Sequence, residues 1–338
     1  MADVVIAGAG IIGLSLALEL EHRGAHVTVL DAGRALQQAS SAAAGMLADD
    51  DPDNPPALHP LARLSIELYP AFLDRLEALT GERIPFQTSY TLQAVEETAD
   101  ALDDPNVLIP QLVAGPHRFR LLTENSIDPR QLATVLANAI RATSIDLRED
   151  TPLTRIAATP TNITINNDIA ADFLVDCMGA WTPAPVAPVK GQMLAVELPA
   201  SLPLEAVLRT RDFYVVPRTL GPNAGRAIIG ATVEHVGFDK AIRPLDILTL
   251  HARASALLPE LKEAHFLESW AGLRPGTADG LPILGATARQ PRYILATGHY
   301  RNGMLLAPAT ARVLADLLDG SASAVDLSPF DPARFPGR

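Results

Sequence analysis

Three glycines at the spacing Gly8-x-Gly10-x-x-Gly13 stand inside "DVVIAGAGIIGLSLALELEHRGAHVTVLDAG", residues 3–33, and they constrain the fold more than any other feature of the chain. A β-branched run, Val4 to Ala7, leads into the glycines; an amphipathic helix is expected from Ile11 to Arg23 and a second strand from His26 to Leu30. This is a βαβ unit. The first glycine allows a tight turn, the second lets backbone approach a pyrophosphate, and the third lets helix pack closely on strand. The opening amides of the helix, with its positive dipole end, then face the phosphates. Asp31 closes the second strand 18 residues after Gly13, where a carboxylate can accept hydrogen bonds from ribose hydroxyls. An acid there repels a 2′-phosphate, so FAD or NAD is favoured over NADP, and the motif does not separate these two.

The chain has 338 residues and a formal net charge of −12, with a pI near 5.1. That balance disfavours nonspecific binding to nucleic acid or anionic membrane, which needs clustered Lys and Arg, and points to a small-molecule partner. A single cysteine, Cys177, excludes an intramolecular disulfide and any multi-cysteine metal site. It fits a reducing compartment, so cytoplasm is the expected location. The apolar opening has no preceding Lys or Arg and ends at Glu19 and Glu21, short of the roughly 20 residues of a membrane helix, so no targeting segment is read there.

Further along, "QQASSAAAGMLA", residues 37–48, crowds small side chains so that backbone can come close to something flat or charged, or else begins an Ala-rich helix. "DDDPDNPPALHP" reads as an exposed, solvated loop, and no metal site is expected. A helix stopping at Gly81 and one opened by Asp128 and Pro129 follow, with a strand-like stretch from Phe86 to Val95 between them. "ITINNDIAADFLVDCMGAW" reads as two strands around a polar turn, the second running from Phe173 to Cys177. From Lys190 to Trp270 the apolar period changes to that of an antiparallel sheet with one helix, and α/β character returns with "YILATG" and the last helix.

Taken together, these segments resemble the D-amino-acid oxidase family of flavoproteins, and most closely its glycine oxidase branch from the thiamine pathway. The matching pieces are "VVIAGAGIIGLSLALEL", "ASSAAAGMLA", "PVKGQ", "FYVVPR", "IIGAT", "ESWAGLRPGTADGLPILG" and "TGHYRNGMLLAPATA", in order over nearly the whole chain. The resemblance implies an α/β plus α+β architecture, with a Rossmann-like FAD-binding domain (1–84, 128–185 and 272–338) interleaved with an antiparallel-sheet substrate domain (85–127 and 186–271). It implies non-covalent FAD. For the cofactor it points to Gly8, Gly10, Ile11, Ile12 and Gly13 at the pyrophosphate, and to Asp31, where the family usually has a glutamate, at the ribose. Ser40, Ser41, Ala43, Gly45 and Met46 match the segment along pyrophosphate and flavin. Leu153 matches the adenine contact, and Gly179 and Trp181 the end of a later FAD-contacting strand. Arg301, Asn302, Gly303, Met304 and Leu305 match the segment at the pyrimidine side of the flavin ring.

For substrate, the resemblance points to Arg274 as the partner of an amino-acid carboxylate, Tyr214 as a hydroxyl on that carboxylate, and Arg301 as a second arginine nearby. Met46 lines the pocket, and Val233 stands where a methionine is common. His299, His235 and Cys177 read as structural. The implied reaction is oxidative deamination of glycine and small secondary or D-amino acids by hydride transfer to FAD. It gives an imino acid, then a keto acid, ammonia and hydrogen peroxide, and could supply thiazole synthesis. The implied partners are a small amino acid and oxygen, with no nucleic acid and no membrane; a homo-oligomer is left open. A D-amino-acid oxidase of wider range, a dehydrogenase using a carrier in place of oxygen, and a non-catalytic flavin-binding protein also stay open.

Overall fold

In the computed structural model, which describes residues 2–96, 102, 104–159 and 162–335, two sheets organise the chain. The first has six strands in the order Ile283–Thr287, Gln290–Thr297, Phe173–Asp176, Asp3–Ala7, His26–Leu30 and Asp146–Arg148. All neighbours are parallel except the first pair. Asp3–Ala7 lies at the centre, so its residues Val4, Ile6 and Ala7 are buried from both faces. The glycine turn follows it directly.

The helix after the turn, Ile11–His22, is not amphipathic as its sequence suggested: every residue from Ile11 to Leu18 is buried. It lies between the sheet and the last long helix, Gly303–Asp319, and shares a core with the helices His59–Thr80 and Pro129–Arg141. The two sequence-predicted helix boundaries have clear causes. Gly81 adopts a left-handed φ of 75° as the residue after the first of these helices, and the Asp128 carboxylate caps the second by accepting from the Arg130 amide at 2.9 Å. The other face of the sheet is covered by a three-stranded meander, Ile156–Ala158, Ile163–Ile165 and Ile169–Ala171. Here the reading of two strands was one short. A tight turn with Asn166 and Asn167 at φ 53° and 74° closes a hairpin before the chain crosses to Phe173–Asp176.

The second sheet has seven strands in the order His265–Gly276, Ala187–Glu197, Arg226–Gly230, Tyr214–Arg218, Val207–Arg209, Thr91–Val95 and Arg118–Leu122. The stretch from Phe86 to Val95 is broken in two, because Phe86–Thr88 pairs instead with Ser126–Ile127. Helix Pro244–Leu257 covers one face of the second sheet. The opposite face meets the small-residue segment through Ala42, Ala44 and Met46. The expected division at residue 272 falls inside the strand His265–Gly276, which pairs with Ala187–Glu197 along its length, so we propose a boundary after Gly276.

One internal defect is repaired across elements. Pro308 inside the last helix has no N–H for the carbonyl of Met304, four residues earlier. The Tyr69 hydroxyl donates to that carbonyl at 2.6 Å, and Ala309 donates its amide to the Ser65 hydroxyl at 3.2 Å. Tyr69→Phe removes this side-chain donor to the Met304 carbonyl. It is expected to lower the unfolding free energy in a urea titration by about 1–3 kcal/mol.

Candidate active site

A continuous cavity of about 530 Å³ runs between the glycine turn and the inner face of the second sheet. At the turn, Gly8 has φ 106°, and a Cβ there would overlap the Cys177 carbonyl; one on Gly13 would overlap the carbonyl of Gly8. Only glycine allows turn, helix and neighbouring strand to come this close. Gly8, Gly10, Ile11 and Ile12 line the cavity, whereas Gly13 serves the packing behind it. Asp31 also lines it, and its two carboxylate oxygens accept from the Ala9 and Gly33 amides at 2.7 and 2.9 Å. The carboxylate ties the turn to the second strand and keeps lone pairs free for a ribose. Ser40 lines the wall and accepts the Ile11 amide at 2.9 Å. A glycine turn, a helix N-terminus facing the cavity and a terminal acid together fit the pyrophosphate and ribose of FAD.

The middle of the wall is the segment from Ala42 to Met46. Its carbonyls are held by side chains of the second sheet: the Trp270 indole donates to Ala42 at 3.1 Å and Arg218 to Ala44 at 2.7 Å. Burial lowers the Arg218 pKa to about 10, which leaves it cationic at neutral pH. Gly45 has φ 86°, and a Cβ there would overlap the Ile127 carbonyl. Ala43, Gly45 and Met46 line the cavity, and Ser41 does not. Leu153, Gly179 and Trp181 do, with the Trp181 ring tilted at 37° against Phe238 at 5.7 Å between centroids.

Beneath the last helix, Arg301, Asn302, Gly303 and Met304 line the cavity while Leu305 turns into the core. The acidic loop is more than the solvated turn that its composition suggested. Asp51 and Asn54 are buried, and they hold this segment: Asp51 pairs with Arg301 at 3.2 Å, and Asn54 accepts from the Asn302 amide group at 2.9 Å. Asp53 adds a second contact to Arg301 at 3.5 Å. Asp51 also lies 3.8 Å from Arg209, which pairs with Glu124 at 2.9 Å and donates to Gln93. Burial raises the Glu124 pKa against the pull of Arg209. Arg209, Glu124, Gln93 and Asp51 carry no local sequence signal, being brought together only by the fold.

On the second sheet, Arg274 and Tyr214 sit over glycines. The Arg274 guanidinium occupies the space a side chain on Gly191 would take, and the Tyr214 hydroxyl lies 2.6 Å from where a Cβ on Gly230 would be. Register explains this: Arg274 pairs with Val189, so Gly191 is on its face, and Tyr214 pairs directly with Gly230. Glycine within a strand run was the available sequence signal. The Tyr214 hydroxyl accepts a hydrogen bond from Arg274, and burial, opposed by that arginine, raises its pKa and keeps the phenol neutral. Arg274 also donates to the Thr232 carbonyl at 3.1 Å. Val233 lines the cavity with 60% of its surface exposed. His299 borders the site, bonded to Thr310 at 3.1 Å, and burial drives its pKa down to about 3.

Residues 3–317 match the model of a protein family described as DAO, FAD dependent oxidoreductase. The chain is 36% identical, over 98% of its length, to the bifunctional protein ThiO/ThiG of Trichormus variabilis, of which it spans 55%. It is 32% identical to the glycine oxidase of Pseudomonas aeruginosa, covering 98% of both chains. The crystal structure of glycine oxidase from Geobacillus kaustophilus superposes over 100% of both chains with a TM-score of 0.91 at 30% identity.

The His299 ring tests the burial of this wall. Its folded pKa, about 3, lies below its ordinary 6.5, so its contribution to stability is present above pH 6.5 and is lost as pH falls toward 3. His299→Gln is expected to flatten that acid limb by about 1.4 kcal/mol per pH unit in unfolding free energy, measured by urea titrations between pH 4 and 7. An unchanged slope would contradict the buried neutral ring.

Proposed function

Because the chain belongs to the DAO family of FAD-dependent oxidoreductases, we propose that it oxidises the α-carbon–nitrogen bond of glycine and small secondary or D-amino acids. One observation carries this reading: the Arg274 guanidinium and the neutral Tyr214 hydroxyl lie side by side over Gly191 and Gly230, on the cavity face. Arg274 presents parallel donors to a carboxylate, and Tyr214 turns its proton toward the same group. Gly8, Gly10, Ile11, Ile12, Asp31 and Ser40 would hold the adenosine diphosphate portion of FAD. Ala43, Gly45, Met46 and residues 302–304 would border its ring. When bound, the flavin supplies an acceptor for a hydride from the α-carbon and is restored by oxygen, which leaves as hydrogen peroxide.

The protein's part is orientation. With the carboxylate anchored, the α-carbon is directed away from the sheet and into the cavity, and fixed geometry accounts for much of the rate. A ring nitrogen with a pKa near 3 is too weak to take a proton from an ammonium group, so His299 is no general base. In this reading the substrate reacts as its neutral amine. Loss of a hydride and a proton gives the imino acid, and water then yields the keto acid with ammonia from a primary amino acid or an amine from a secondary one.

Arg301 has a different assignment from Arg274. With Asp51 and Asp53 on its guanidinium, it clamps the acidic loop against the segment 301–305, and a substrate carboxylate would have to compete with them. The exposed Val233, which lines the same cavity as Trp181, favours, as a second reading, a D-amino-acid oxidase admitting larger side chains. Similarity to a ThiO/ThiG protein supports a thiamine-related role for the imine product.

Anaerobic addition of glycine, sarcosine, D-alanine or D-proline to the holoprotein is expected to bleach the flavin, and air to restore it with release of peroxide. Absence of bleaching with all four refutes the proposal. Arg274→Ala is expected to retain flavin and raise KM by about 100-fold, since two hydrogen bonds to a charge contribute about 1.5 kcal/mol each.

A further inference from the structure

In the segment "PVKGQ", Lys190 and Gln192 have had no part in the site so far, yet they flank Gly191 directly beside Arg274 in the strand Ala187–Glu197. Strand alternation gives these three residues different tasks. Gly191 faces the cavity and leaves room for the guanidinium. Lys190 and Gln192 face the other way, and both are fully buried.

Their side chains grip the excursion that follows Gly230. Lys190 donates to the Ala241 carbonyl at 2.6 Å and pairs with Glu234 at 3.3 Å. The Gln192 amide group donates to Glu234 and to Asp246 at 2.8 and 2.7 Å, and its carbonyl accepts the Arg243 amide at 2.7 Å. Backbone bonds add to the grip: Lys190 and Glu234 exchange amide-to-carbonyl bonds of 2.9 and 3.0 Å, and the Gln192 amide donates to the Thr232 hydroxyl at 2.9 Å. That hydroxyl in turn donates to Glu234 at 2.5 Å. The outcome of these bonds is a fixed Thr232, and the Thr232 carbonyl is the acceptor that orients Arg274.

We propose that Lys190 and Gln192 are positioning residues for the substrate carboxylate, acting on Arg274 through the Thr232 carbonyl, while Gly191 between them provides the space the guanidinium fills. The two-sided pattern carries the inference. A strand that merely needed to be buried at this place would take apolar residues, as the same strand does at Met193, Leu194, Ala195 and Val196. Burying an amine and an amide here costs free energy unless all their polar atoms are paired, and the pairing they find is confined to the excursion from Thr232 to Asp246. The glycine on the opposite face gives that rigidity its use. A guanidinium lying flat over backbone has one acceptor on the wall of the excursion, so a shift of the excursion rotates the fork presented to the carboxylate.

The inference rests on Arg274 binding the carboxylate, and the experiment separates the two ideas. Holoprotein variants Gln192→Met, Arg274→Ala and the double variant are compared by flavin content, glycine kinetics and the flavin absorbance change on titration with acetate, a bare carboxylate. Gln192→Met is expected to keep its flavin, to raise KM and the acetate Kd by about tenfold with little change in kcat, and to add nothing further in the Arg274→Ala background. If Gln192→Met leaves KM and acetate binding unchanged while Arg274→Ala raises both, the positioning role is overturned and the carboxylate role of Arg274 stands. The same holds if the two effects multiply in the double variant, as independent structural damage would. If Arg274→Ala itself changes neither quantity, the carboxylate reading fails first and takes this one with it. Should Gln192→Met not bind flavin, Lys190→Arg, which keeps the buried charge while altering its reach, gives the same comparison.

Discussion

Backbone has to come within contact distance of a large flat ligand along this cavity, and every other feature of the site depends on how side-chain volume is withheld to allow it. At the first turn the volume is withheld by Gly8 and Gly13, which let a helix, a turn and a neighbouring strand converge. Along the middle wall it is withheld by alanines and Gly45, and on the second sheet by Gly191 and Gly230. Backbone so stripped of side chains has few contacts of its own. Its position is therefore imposed from behind, by Asp31 at the turn, by Arg218 and Trp270 at the small-residue segment, and by Tyr69 under the last helix. Small residues in front and large polar ones behind are two halves of one solution.

The same division explains why buried polar side chains are so frequent near the cavity. Arg218, Lys190, Gln192, Arg209 and Glu124 are all nearly inaccessible, and desolvating such groups is unfavourable unless they are paired. Each has a partner: Arg218 the wall backbone at Ala44, Arg209 the Glu124 carboxylate, and Lys190 and Gln192 the excursion that carries Val233. Their cost is set against the positional certainty that apolar packing alone would not confer on glycine-rich chain.

Local rules made part of this legible in the sequence. The glycine spacing, the Asp128 cap and the Gly81 stop each act within one turn of chain, and each is found where sequence chemistry put it. The resemblance carried by the quoted motifs supplied the interleaving of a Rossmann-like domain with a second, sheet-based one, which no periodicity could have shown. What stayed hidden was non-local. The helix after Gly10 is buried on all sides because the last helix, some 300 residues away in sequence, lies against it. Asp51 reads as one of three surface acids until Arg209 and Arg301 are brought to it. The break between Thr88 and Thr91 arises from competition between two sheets for adjacent segments. Gly191 and Gly230 were visible as glycines within strand runs, but only register reveals which arginine and which tyrosine use their space.

The ion pairing around the cavity also decides what kind of charge it will accept. Arg209, Arg211 and Arg301 each have a carboxylate within 4 Å, whereas among the described residues no carboxylate lies that close to Arg274. Each of the other arginines of the wall is thus matched by a carboxylate, and Arg274 is not. A carboxylate reaching Arg274 would meet a cation not already committed to an acid of the chain. The acidic loop that closes on Arg301 thus takes one arginine out of competition, dividing the wall by charge pairing where the glycine floor divides it by shape.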